Sequence, residues 1–200
     1  MKRRVPCFAG LAALLILAAC GGRPTVVDAG KTVVLGDTVR VQPQTSWNRE
    51  ETGLLEAWMV VGKDWDKVEF LQGASDGDHL VSSSSYGYMS ARARRGSSFP
   101  AFREGMTGLE IHDLYVASLS KIGVTGISTR DVRPWRVDGH PGFRFEFTHN
   151  GDDGRERAGF TVGFVLNGKL WLITYTSGSL TSYEVYRDRV EALIASVKLP

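Results

Sequence analysis

One thiol and one run of guanidinium groups are the features of this 200-residue chain whose types and spacing could do chemistry. Cys20 follows Leu17-Ala18-Ala19 and precedes Gly21-Gly22. Small residues before it let an extended backbone enter a peptidase, and the thiol can then take a lipid. Arg92, Arg94 and Arg95, followed by Arg103, lie in a polar stretch from Gly73 to Arg103. A planar guanidinium can hold a carboxylate or phosphate with two parallel hydrogen bonds, so these four are candidate interaction residues. Trp65, flanked by Asp64 and Asp66, is a fifth: an exposed indole between charges either anchors a partner or folds back over a sheet edge. Asp76, Asp78 and His79 could face a divalent cation. No second His or Cys stands at close spacing, so a polar loop explains them better and no metal is expected.

Nucleophilic and metal-assisted catalysis find no convergent constellation. The chain has no His-Glu-x-x-His. It lacks the glycine patterns that cradle nucleotide phosphates, and no cofactor is expected. His79, His112, His140 and His149 do not cluster in sequence. His112 is expected on the surface or at the boundary of the first helix's apolar stripe, His140 in a turn and His149 at a strand end. The expectation is therefore no enzyme, with a hydrolase triad assembled only in three dimensions as a remote alternative.

The N-terminus says how Cys20 is used. Lys2, Arg3 and Arg4 precede an uncharged stretch from Val5 to Ala19. That stretch is shorter than the roughly 20 residues a spanning helix needs, and its charged start and small-residue exit describe an export signal. With Cys20 at the exit, it resembles a bacterial lipoprotein signal peptide. The resemblance implies residues 1–19 as signal peptide and Cys20 as an N-acyl, S-diacylglycerol cysteine, one acyl chain being of the palmitate type. Residues 20–30 follow as a flexible tether and 31–200 as one globular domain. Each buried methylene contributes about 0.8 kcal/mol, so several acyl chains hold the protein on the bilayer. Gly21 after the cysteine favours the outer over the inner membrane, with the domain facing the periplasm.

Cleavage also changes the charge. The full chain has 24 basic and 22 acidic residues; without Lys2, Arg3 and Arg4 there are 21 against 22. A near-neutral domain has no electrostatic footprint for nucleic acid. Cys7 leaves with the signal, so Cys20 is the sole remaining cysteine and no intramolecular disulfide can form.

The elements that must position any site follow from local pattern. Asn167-Gly168 separates two apolar runs, a two-residue hairpin signal that pairs Phe164 with Trp171, Val162 with Ile173 and Phe160 with Tyr175. Both faces of that hairpin are apolar, so cover on both sides is expected. Thr107 to Glu110 and Thr181 to Glu184 have capping-box spacing before helical stripes. Phe143, Phe145 and Phe147 alternate with Arg144 and Glu146, a strand with one buried face. Leu54–Val61 with Lys67–Gln72 forms a hairpin, Thr32–Val41 two short strands, and Ile127–Val137 a strand that Pro134 places at an edge or bulge. Leu80–Met89 is a candidate edge strand.

This order predicts an α+β fold, an antiparallel sheet covered by helices on both faces. Pro43-Gln-Thr-Ser-Trp47, Val137-Asp-Gly-His-Pro-Gly142 and Leu170-Trp-Leu-Ile-Thr-Tyr175 before the last helix resemble the PsbP-like superfamily, which includes DcrB-like bacterial lipoproteins. The resemblance covers most of residues 31–200. It implies an α/β/α sandwich and an accessory or binding role without a catalytic constellation. The expected function is a non-catalytic envelope lipoprotein that binds another envelope protein or assists a complex. A carrier or sensor of a small amphipathic ligand, with Tyr115, Phe145 or Trp171 lining a cavity, is the alternative.

Overall fold

The computed structural model describes residues 25–52, 55–63, 65–80 and 99–200. The signal segment, Cys20, Arg92, Arg94, Arg95 and nearly all of the strand expected at Leu80–Met89 lie outside the described residues. The strands are β1 (Thr25–Val27), β2 (Val33–Leu35), β3 (Val39–Val41), β4 (Trp47–Thr52), β5 (Leu55–Val60) and β6 (Lys67–Ala74). Helix α1 (Gly108–Lys121) precedes β7 (Thr125–Val137), β8 (His140–Asn150), β9 (Glu156–Leu166) and β10 (Lys169–Thr176), and α2 (Leu180–Ala195) ends the series. Eight strands form one sheet in the order β1-β4-β5-β6-β10-β9-β8-β7, every neighbouring pair antiparallel. β2 and β3 make a separate hairpin.

The β9–β10 hairpin has the register its turn dictates. Asn167 and Gly168 take φ of 51° and 73°, and Phe164 opposes Trp171, Val162 Ile173 and Phe160 Tyr175. The period of two then sorts side chains onto two cores. Trp171, Ile173 and Tyr175 join Phe160, Val162 and Phe164 in a core that α2 enters through Val190 and Leu193. Leu170 and Leu172 face the other way, with Phe143, Phe145 and Phe147, into a core that α1 enters through Ile111 and Leu114.

Among the described residues the molecule is mostly antiparallel sheet with two helices. Full helical layers on both faces, expected from the sequence, are not formed among the described residues, because two helices are too few for eight strands. Val33, Leu35, Val39 and Val41 of the β2–β3 hairpin share the cover on one side, and Phe102 with Leu80 on the other. Thr25–Val27 corrects a second expectation. It lies within the segment assigned to a tether, yet it pairs with Trp47–Arg49 as a sheet edge.

The capping box at α1 forms as its spacing requires: the Thr107 hydroxyl accepts from the Glu110 N–H, and the Glu110 carboxylate accepts from the Thr107 N–H at 2.7 Å. Thr107→Ala is expected to cost about 1 kcal/mol in chemical denaturation. The second box is displaced. Thr181 is already helical, and Ser179, in extended conformation, caps α2 by accepting from the Ser182 N–H at 3.1 Å.

Candidate interaction site

β8 was expected to bury one face, yet Arg144 and Glu146 are nearly as buried as the phenylalanines between them. They face α2, where Tyr183, Arg187 and Glu191 recur every four residues and therefore share one helix stripe. Arg144 donates to both carboxylate oxygens of Glu191, at 3.0 and 2.6 Å. Glu146 accepts from Arg187 at 3.0 Å and from Arg130 of β7 at 3.0 Å. The Arg144 guanidinium also lies 4.1 Å from the Phe160 ring centre and 5.2 Å from that of Trp135. Arg133 approaches the same indole at 4.8 Å. Burial, with Glu146 nearby, pushes the Tyr183 phenol above its ordinary range.

This network opens at the sheet edge. Glu146 lies inward and Glu191 at the rim, whereas Arg130 is 69% and Arg133 43% exposed. Beside them an open groove of about 530 Å³ runs between β7 and α2, lined by Trp135, Val137, Asp138, Glu191, Ile194 and Ala195. Strand addition along β7 is obstructed: the register shifts between Arg130 and Arg133, and Pro134 supplies no N–H. The surface therefore offers side chains, arginines around a half-buried tryptophan, which is the composition of an interface anchor.

Sequence reasoning passed over this group because Arg144 and Glu146 read as the wet face of a half-buried strand. The missed signal is the acidic and basic spacing of Arg187 and Glu191 on the helix that follows. The residues it did select fall elsewhere. Trp65 is 61% exposed, with the Arg157 guanidinium 4.6 Å above its ring. Arg103 is exposed and 3.7 Å from Asp76. Asp78 accepts from the Ser75 N–H and His79 bonds to the Pro100 carbonyl, so both serve the turn. Among the described residues no three His, Cys, Asp or Glu side chains converge as metal ligands. The cavity a ligand carrier would need at Tyr115, Phe145 and Trp171 is not formed there. Phe145 is fully buried, with Tyr115 at 5.4 Å and Phe143 at 6.4 Å between ring centres, and Trp171 stacks on Phe164.

His112 is buried rather than at a boundary. One ring nitrogen, Nδ1, is 2.9 Å from Asp113 Oδ1, and Nε2 is 3.0 Å from Thr129 Oγ1 of β7. Phe145 meets the ring edge-on at 4.9 Å.

No family model and no curated protein matches the chain. Solved structures do. Cyanobacterial PsbP (CyanoP) from Synechocystis sp. PCC 6803 is similar with a TM-score of 0.51 at 12% identity, over 92% of this chain and 99% of that one. A protein from Bacteroides thetaiotaomicron is similar with a TM-score of 0.49 at 10% identity, over 87% of this chain; the match spans only about half, 49%, of that longer chain. LpqN, involved in cell envelope biogenesis of Mycobacterium tuberculosis, gives a TM-score of 0.37 at 10% identity, over 92% of this chain and 88% of that one. The likeness to the cyanobacterial protein extends over nearly the whole of both chains, and what it establishes is a PsbP-like fold.

Proposed function

We propose that the chain is a lipid-anchored accessory protein of the bacterial envelope that binds another envelope protein through the β7 edge. The observation that carries this reading is the arginine surface beside Trp135: Arg130 is held by Glu146 and Arg133 by Asp131, over a buried Arg144 paired with Glu191. Cys20 supplies the anchor through its acyl chains, and the domain faces the periplasm, with the outer membrane favoured by Gly21. Among the described residues no helix is long and apolar enough to cross a membrane. The PsbP-like fold supports the accessory role by resemblance.

The test is photo-crosslinking of the lipidated protein in its native envelope, with a benzophenone side chain placed at position 133 or 135. A discrete adduct that disappears at high salt is the expected result. Cys20→Ser should leave the precursor uncleaved or release the domain from the membrane, and the adduct should go with it. Absence of any specific adduct at both positions would overturn the binding assignment, and a Cys20→Ser chain that is cleaved as in wild type yet still retained on the membrane would overturn the anchor.

A further inference from the structure

The hydrogen-bonded series Thr129–His112–Asp113 lies on the opposite face of the sheet from the arginine surface, and the accessory role makes no use of it. As a carboxylate, Asp113 can only accept, so the His112 Nδ1 carries the ring proton. In the neutral ring the lone pair of Nε2 is then directed at the Thr129 hydroxyl, 3.0 Å away. A neutral imidazole in this tautomer, oriented by a carboxylate and facing a hydroxyl, is the arrangement that general-base activation of an alcohol requires.

The backbone around Thr129 supplies the second half of such a site. β7 shifts register on both sides of it, between Thr125 and Ser128 and between Arg130 and Arg133, and Asp131 takes φ of 54°. Bulges of this kind at a sheet edge re-aim side chains. The direction of the Thr129 N–H follows from the turn. Asp138 and Gly139, with φ of 47° and 84°, form a two-residue loop closed by Val137 and His140. Such a pair exchanges both backbone hydrogen bonds. Alternation along β8 then turns Glu146 and Thr148 toward β7, where they oppose Arg130 and Ser128. Thr129, between those two, directs its N–H away from the sheet, adjacent to its own hydroxyl. That N–H is a donor for a developing oxyanion. Leu109, 59% exposed, stands one helical turn before His112.

We propose that Thr129, His112 and Asp113 form an acyl-transfer site that hydrolyses carboxylic esters with small apolar acyl groups. Thr129 Oγ1 attacks the ester carbonyl carbon as its proton passes to His112 Nε2, and the carbonyl oxygen becomes the oxyanion facing the Thr129 N–H. The tetrahedral centre collapses, the carbon–oxygen bond to the alcohol breaks, and the alcohol leaves with the proton from Nε2. Water then attacks the threonyl ester, again giving its proton to Nε2. The carboxylic acid departs, and the proton returns to Thr129. Asp113 is a positioning residue that holds the imidazole in the required tautomer.

The probe is p-nitrophenyl butyrate with the full-length chain in detergent. Wild type is expected to turn it over above the buffer rate and to carry a butyryl adduct on the peptide containing Thr129 after rapid acid quench. Thr129→Ala and His112→Gln should lower kcat at least 100-fold, and Thr129→Ser should retain it. Asp113→Asn should lower kcat at least 10-fold with KM unchanged, a split that loss of a merely structural contact would not produce. Equal rates in wild type, Thr129→Ala and the serine variant, an adduct confined to other residues, or no turnover by a folded wild-type chain would each overturn the proposal. Thr129→Ser keeps the test decisive if Thr129→Ala melts early.

Discussion

Arg144→Met should destabilise the domain by about 3 kcal/mol, the low end of the range for removing one partner from a buried ion pair, because Glu191 keeps contact with solvent and with Arg187. Arg144 is among the largest fully buried side chains. Its two good carboxylate bonds go to Glu191, and its flat face fills the space over Phe160. Methionine keeps some of the volume but leaves Glu191 without its bidentate partner. Glu146 suffers less, because Arg130 and Arg187 still donate to it. For a domain of this size, each kcal/mol corresponds to roughly 2–4 °C, so the melting temperature should fall by about 10 °C. The double variant Arg144→Met/Glu191→Leu should recover most of the loss, since apolar replacement of a whole buried pair is often close to neutral. A fall of under 1 kcal/mol in urea denaturation of Arg144→Met would show the pair to be energetically idle. Failure of the double variant to recover would show that Trp135 and Phe160 need the cation itself.

The same residues show how far a sequence reading reaches. Asn167-Gly168 dictates its hairpin because a two-residue loop with positive φ at both positions admits few residue types, and register then follows arithmetically. Thr107 and Glu110 are legible for a similar reason: both ends of the interaction lie within one turn. Arg144 and Glu146 were misread because local alternation counts a charge as solvent-facing. What overrides the pattern is the stripe of Tyr183, Arg187 and Glu191, some 40 residues later, brought over β8 only by the fold. His112 was misplaced for the same reason. Its position beside an apolar helix stripe gives no sign of Thr129, which is 17 residues away on another element. Ser179 replaced Thr181 as a cap because both are good caps and nothing local ranks them. The candidate sites rest entirely on such long-range meetings. The one chemistry-bearing group legible without them, Cys20, is read from the export signal beside it.

The sheet carries one more long-range dependence, and it makes Gly159→Ala a second severe variant. On the α1 face, Phe147 of β8 lies over Gly159 and Phe143 over Gly163 of β9. A Cβ at position 159 would stand 2.1 Å from the Tyr175 carbonyl oxygen and 2.5 Å from Phe147 Cζ. The carbonyl belongs to the neighbouring central strand and cannot move without disturbing the β9–β10 ladder. At position 163 the nearest atom, Phe143 Cζ at 2.2 Å, is the far end of a side chain. Overpacking of a core typically costs about 1–3 kcal/mol, and a backbone clash places Gly159→Ala at or above the top of that range, about 3 kcal/mol. Gly163→Ala should cost less and should couple to its ring: in a double-mutant cycle, Phe143→Leu should offset part of the Gly163→Ala loss. Phe147→Leu should offset little of the Gly159→Ala loss, because the Tyr175 carbonyl remains. Thermal and urea denaturation of the four single variants and two doubles measure both couplings. Equal offsets at the two positions would mean that ring crowding, not the carbonyl, requires glycine at 159.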